Sequence, residues 1–195
     1  NRNKLKTPTG VNWLTIPVHH SGRFGQKICD TEISDPRWSV KHWQTIKTLY
    51  GRAPFFDEYR AFLEDLYIQS STITHLSQIN TLFIVNICLE LEIRTKISLA
   101  MNYMISGNKN EVLINILKQC NGTEYISGPS AKAYIDEKLF MENGINVQWM
   151  DYNGYREYEQ LYPPFEHGVS IVDMLVHLGA EGTKKFMKCI KKDKS

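Results

Sequence analysis

Between residues 95 and 150 the chain alternates between strand-like and helix-like apolar spacing, and this constrains its fold more than any other feature. Residues 95–104 read as a strand with a ragged end. Residues 108–120 read as a helix, with Val112, Leu113, Ile116 and Leu117 on one face and Asn121-Gly122 to end it. A strand over 123–126, a helix over 130–143 ended by Gly144, and a strand over 145–150 follow. A β-α-β-α-β run with about 25 residues per repeat implies parallel strands joined by right-handed crossovers.

The most informative turn in this run is Ser127-Gly128-Pro129-Ser130. It joins the apolar pair Tyr125-Ile126 to a helical pattern and would lie at the carboxyl end of an interior strand, where open α/β sheets bind ligands. A helix N-terminus there offers unpaired N–H groups and a positive dipole end to an anion such as phosphate. Gly128 lets backbone approach a ligand closely, Pro129 suits a first helical position, and Lys132 adds positive charge. Ser127, Gly128, Ser130 and Lys132 are therefore the candidate phosphate-binding residues. The same residues are also ordinary capping chemistry, and the turn is neither a P-loop nor a GxGxxG motif.

Ahead of this run the pattern is mixed. Residues 13–18 read as a strand, with Pro17 placing it at an edge or bulge, and 27–34 as a second strand. Asp35-Pro36 opens a helix ended by Gly51. Asp57 caps another that runs to about residue 68, and a nearly all-apolar helix spans 76–91, predicting burial on several sides. The aromatic segment 151–167 reads as a loop with the length of a lid or cover. Ser170 to Asp173 resembles a capping box at the start of a helix that breaks at Gly179 and resumes into a basic tail. The expected architecture is a single three-layer α/β domain over 1–195, with a mostly parallel central sheet, an irregular β-containing N-terminal part and a helical insert.

Composition narrows the class of function. A chain of 195 residues with 42% hydrophobic and 23% charged content folds around a sizeable core. A net charge of +2 gives no global reason for nucleic acid or an anionic membrane as partner. No apolar run reaches the roughly 20 residues of a membrane helix, and no signal peptide is legible. Cys29, Cys88, Cys120 and Cys189 show neither metal nor redox spacing, which predicts reduced thiols and a cytoplasmic protein. Composition sets no oligomeric state.

Few residues stand out for chemistry. Arg2, Lys4 and Lys6 form a basic cluster that is either solvated or neutralises phosphate, for which Arg2 has the bidentate geometry. His19 and His20 point to opposite faces of an extended chain, which argues against a shared metal. His42 reads as packed and His75 as a capping or surface residue. His167, between Glu166 and Gly168 and just before a helix, is the best general-base candidate. Asp173 is either a helix cap or a catalytic carboxylate facing the ligand.

Several segments together resemble the WbqC-like protein family: Asn1-Arg2-Asn3-Lys4-Leu5-Lys6-Thr7-Pro8, Trp13-Leu14-Thr15-Ile16-Pro17-Val18, His42-Trp43, Tyr125-Ile126-Ser127-Gly128-Pro129 with Tyr134, and Ser170-Ile171-Val172-Asp173-Met174-Leu175. They span nearly the whole chain in order. Family members carry a further first strand and a Gln-Pro-Asn-type turn ahead of the Asn-Arg-Asn segment, so this chain is expected to lack a natural N-terminal piece. The resemblance implies a bacterial enzyme of surface-polysaccharide (O-antigen) synthesis that transfers an acyl or aminoacyl group, such as glycyl, to the amine of a nucleotide-linked amino sugar. It also leaves open an ATP-dependent, adenylate-forming ligase or nucleotidyltransferase-like enzyme, and a non-catalytic sugar-binding module. No cofactor is implied beyond ATP under the ligase reading.

Overall fold

The computed structural model describes residues 1–187. They fall into two compact units, one of Asn1–Arg94 with Arg156–Met187 and one within Thr95–Tyr155. Among the described residues there are six α-helices and two small sheets. The chain is a mixed α/β protein, and a mostly parallel central sheet is not part of what the described residues show.

The first unit opens with an antiparallel hairpin of β1 (Arg2–Thr7) and β2 (Gly10–Thr15), in register from Arg2 opposite Thr15 to Thr7 opposite Gly10. Pro8-Thr9 makes the two-residue turn, and Gly10 follows at φ 125°, a backbone region that glycine alone adopts cheaply. The predicted strand at 13–18 thus begins earlier and pairs with the segment that carries the basic cluster Arg2, Lys4 and Lys6. Alternation places Leu5, Asn12 and Leu14 on one face and Arg2, Lys4 and Trp13 on the other. Residues 27–34 make a 3-10 turn (Ile28–Asp30) and then single bridges, Glu32 with His75 and Val18 with Ile33. Pro17 has no N–H to extend that pairing into a ladder.

Helix α1 (Trp38–Tyr50) buries Trp38, His42, Trp43, Ile46 and Tyr50 at helical spacing. Asp35 caps the preceding turn: it accepts the Arg37 N–H at 3.0 Å and the Lys41 ammonium at 2.7 Å. Helices α2 (Phe56–Ser70) and α3 (Leu76–Glu90) follow. Only Leu76 and Ile79 of α3 are fully buried, while Ile84 and Leu89 are exposed, so the predicted burial on several sides is confined to its first turns. Helix α6 (Ile171–Phe186) closes the unit and kinks at Gly179. Leu5, Trp43, Ile46, Tyr50, Leu63 and Leu175 centre a core shared by the hairpin and these helices. Burying each large apolar side chain stabilises the fold by about 1.5–3 kcal/mol.

The second unit is small. Helix α4 (Lys109–Gln119) starts with a full capping box between Asn108 and Glu111. Strands β3 (Glu124–Ser127) and β4 (Asn146–Trp149) pair in parallel, with α5 (Glu137–Glu142) between them in sequence. Ile114, Ala131, Ile135, Phe140 and Ile145 form its core. The strand expected at 95–104 is instead extended chain with a 3-10 turn at Ala100–Asn102, and Met101 and Met104 are exposed. The helix expected at 130–143 is split into a 3-10 turn (Pro129–Ala133) and α5. The break is stabilised from α4: the Asn110 amide donates to the Tyr134 carbonyl at 3.1 Å and accepts the Asp136 N–H at 3.1 Å, while Asp136 caps α5 through the Leu139 N–H. Of the predicted basic tail, Lys184 and Lys185 belong to α6, and Lys188, Cys189, Lys191, Lys192 and Lys194 lie outside the described residues.

Candidate functional site

In the second unit the parallel pair ends at Ser127 and Trp149, so the Ser127-Gly128 turn sits at the carboxyl edge of the two strands, as the alternating pattern predicts. The Met150 N–H donates to the Ser127 carbonyl at 2.8 Å and holds both strand ends together. A Cβ on Gly128 would lie 3.2 Å from the Tyr152 hydroxyl, so glycine lets that ring come close over the turn. The Lys132 ammonium stands 5.4 Å from the centre of the Trp149 ring, whose indole N–H donates to Glu137 at 3.1 Å. Ser127, Gly128, Ser130 and Lys132 are thus gathered at one edge beside two aromatic rings. The element that follows is a five-residue 3-10 turn rather than the expected long helix, so it carries little of the dipole that a helix N-terminus would supply.

The other predicted site residues lie in the first unit. The Arg2 guanidinium is 4.3 Å and the Lys4 ammonium 5.3 Å from the centre of the exposed Trp13 ring. Alternation on the hairpin brings the three to one face. His167 is exposed, its ring edge-to-face with Phe165 at 4.6 Å. Phe165 in turn meets Tyr158 at 5.0 Å. Glu166 does not orient His167; its carboxylate accepts the Gly168 N–H at 2.8 Å.

Asp173 is fully buried in the first turn of α6. Its Oδ1 accepts from the Tyr158 hydroxyl at 2.7 Å and from the Gln160 amide at 3.1 Å. His177, one turn later, sits 3.3 Å from the same oxygen and donates from Nδ1 to the Asp173 carbonyl at 2.7 Å. The Leu161 N–H donates to His177 Nε2 at 3.0 Å, which fixes the proton on Nδ1. Asp173 pulls that ring toward protonation against its burial, but a second proton would have to displace Leu161, so the ring is held neutral. Asp173 Oδ2 has no hydrogen-bond partner among the described residues, although the Tyr50 hydroxyl, which accepts the Lys6 N–H at 2.9 Å, acts on the same carboxylate. Burial alone would raise the Asp173 carboxyl; the bonds from His177 and Tyr158 outweigh it and hold it below the usual carboxylate range. Burial and the Asp173 charge push the Tyr50 and Tyr158 phenols well up, so both stay protonated donors.

The carboxylate is packed among side chains of the first unit rather than open to solvent. Gln160, gripped by Asp173, spans the loop that carries His167: its carbonyl accepts the Glu166 N–H at 2.9 Å and its amide donates to the Glu166 carbonyl at 3.1 Å. Asp173 and His167 are joined by this chain and by the Tyr158–Phe165–His167 rings.

The WbqC-like protein family model matches residues 1–185. The chain belongs to the WbqC-like protein family. The family's name is associated with polysaccharide biosynthesis. An uncharacterised Mycobacterium tuberculosis protein, Rv1507c, is 41% identical over 189 residues, covering 97% of this chain and 81% of that one. No solved structure matches this chain.

In this WbqC-like chain His42 and His75 have structural partners. His42 is buried and pairs through Nε2 with the Thr15 carbonyl at 2.9 Å; burial lowers its pKa against that bond. His75 meets the Thr74 hydroxyl at 3.0 Å. Among the described residues no cluster of His, Cys, Asp and Glu is arranged to hold a metal ion, and no helix is long and apolar enough to cross a membrane. Cys29, Cys88 and Cys120 are free thiols. Sequence reasoning missed His177, although its i+4 spacing from Asp173 was a signal that helical geometry makes readable. It also missed Tyr50, Tyr158 and Gln160, which only the fold brings to Asp173.

Proposed function

We propose that this WbqC-like protein transfers an acyl or aminoacyl group, of glycyl type, to the amine of a nucleotide-linked amino sugar in bacterial surface-polysaccharide synthesis. The observation that carries the reading is the Ser127-Gly128 turn at the carboxyl edge of parallel β3 and β4, with Lys132 beside it. The turn's hydroxyls, its close-approach backbone and the ammonium suit a phosphate, and the Trp149 and Tyr152 rings suit a stacked ring. His167, in the first unit, exposed and with no resident partner for its ring nitrogens among the described residues, is a general-base candidate in its own right, separate from the phosphate edge of the second unit. In the transfer a general base takes the proton from the sugar amine as the amine attacks the acyl carbonyl. The C–N bond forms, the bond to the donor's leaving group breaks, and the proton passes to that leaving group. Asp173 positions the His167 loop.

A thermal-shift series with UDP-, dTDP- and GDP-linked amino sugars, ATP and coenzyme A tests the reading. A ligand at 100 times its Kd stabilises by about 2.7 kcal/mol. Stabilisation by a nucleotide-linked amino sugar, lost in Lys132→Ala and Ser127→Ala, is the expected result. Stabilisation by ATP alone overturns it in favour of a ligase that adenylates a carboxylate. No stabilisation by any of them removes the edge from consideration.

A further inference from the structure

A concave site lies wholly within the first unit, where the hairpin face carrying Leu5, Asn12 and Leu14 meets α1. Its volume is about 300 Å³, at the lower end of the roughly 300–1,000 Å³ of small-molecule sites and suited to one ring rather than a nucleotide. Leu5, Leu14 and Leu49 form the floor. The rim is polar and uncharged: the amides of Asn12 and Gln44, and the hydroxyls of Thr45 and Thr48.

These polar groups are available. Neither the Asn12 nor the Gln44 side-chain amide is paired among the described residues, so each offers a donor and an acceptor. Thr45 and Thr48 spend their protons on the Lys41 and Gln44 carbonyls, both at 2.9 Å, which leaves each hydroxyl oxygen to accept. The backbone adds more. The Thr15 carbonyl faces away from β1 to meet His42, so by strand alternation the N–H and C=O of Trp13 also point away from β1, along the free edge of β2.

We infer that this groove binds an uncharged pyranose ring. An apolar floor suits the C–H face of a sugar, and closely spaced neutral donors and acceptors suit its hydroxyls. No carboxylate lines the groove, and the opposite hairpin face carries the cations Arg2 and Lys4 against Trp13. An ammonium sugar therefore finds no partner here, whereas its N-acylated form does. An extended peptide is disfavoured because the His42–Thr15 bond closes one end of the β2 edge. The inference uses none of the residues at the phosphate edge of the second unit, so either can fail without the other.

The test is a titration of the full, ¹⁵N-labelled chain followed at the Asn12 and Gln44 side-chain amides and the Trp13 backbone amide. The probes are methyl N-acetylglucosaminide, methyl glucoside, methyl glucosaminide and a blocked uncharged tetrapeptide. The expected result is saturable shifts at all three positions with the two neutral sugars. Binding of the ammonium sugar should be at least about tenfold weaker. The shifts at Trp13 should vanish in the exposed-site double variant Asn12→Ala/Gln44→Ala, and in Thr48→Trp, which fills the groove. Absence of shifts with both neutral sugars, equal binding of the ammonium sugar, or shifts produced by the peptide alone would each overturn it.

Discussion

His167 and Asp173 occupy opposite extremes of exposure, and each predicts a different kind of loss. An exposed base contributes through its proton, so His167→Ala should lower turnover of the proposed transfer by about a hundredfold or more. Nucleotide-sugar binding and thermal stability should hardly change; unaltered turnover would take His167 out of the mechanism. A buried hub contributes through satisfied bonds. Asp173→Ala strands the Tyr158 and Gln160 donors, while His177 keeps the backbone carbonyl of residue 173; each buried donor left unpaired costs about 1–3 kcal/mol, readable by urea denaturation. The sign of its pH dependence follows from a carboxyl held below its ordinary value in the fold. Its stabilisation is fully present above the ordinary carboxylate range and is lost as pH falls through the lowered value. Below about pH 4, wild type should therefore lose stability more steeply than Asp173→Asn. Parallel acid-denaturation curves for the two would contradict the hub.

At the scale of elements, α6 illustrates how one residue sets a helix path. Gly179 adopts φ 65° and ψ 176°, a region that side-chain-bearing residues avoid, and a Cβ there would stand 3.0 Å from the Phe55 ring. The kink lets the Phe55 N–H reach the Val176 carbonyl at 2.9 Å and the Ala180 N–H reach the Tyr59 hydroxyl at 2.8 Å, tying α6 to α2. Gly179→Ala should cost about 1–3 kcal/mol from backbone strain alone, seen as a lowered denaturation midpoint with unchanged m-value. A neutral substitution would mean that the helix straightens without losing its anchor.

At the scale of the whole molecule, the two units differ in what supports them. The first is held by an aromatic-rich core of Trp38, Trp43, Tyr50, Phe56 and Tyr67 and by the Asp173 hub. The second rests on a few aliphatic side chains around Phe140 and one pair of four-residue strands. Local opening free energy follows buried apolar contact. Amides of α4 and β3 should therefore exchange with solvent well before those of α1 and α2 in native-state hydrogen exchange. Equal protection in both would show that they open as one.

The sequence by itself determined the helices α1, α2, α4 and α6, the parallel relation of β3 and β4, the turn at their carboxyl edge and the membership of the family. Each rests on local chemistry: apolar spacing, capping residues, glycine and proline punctuation. It did not determine the size of the sheet, because a run such as 95–104 becomes a strand only if a neighbour supplies hydrogen bonds. It left the β1–β2 hairpin hidden, because Lys4 and Lys6 read equally as solvated or phosphate-neutralising charge, although Pro8-Thr9-Gly10 marks its turn. Tertiary structure alone decided that Asp173 is an anchor. Tyr50, Gln160 and the His167 loop reach it from distant parts of the chain, and no local pattern encodes which distant groups will meet a buried carboxylate.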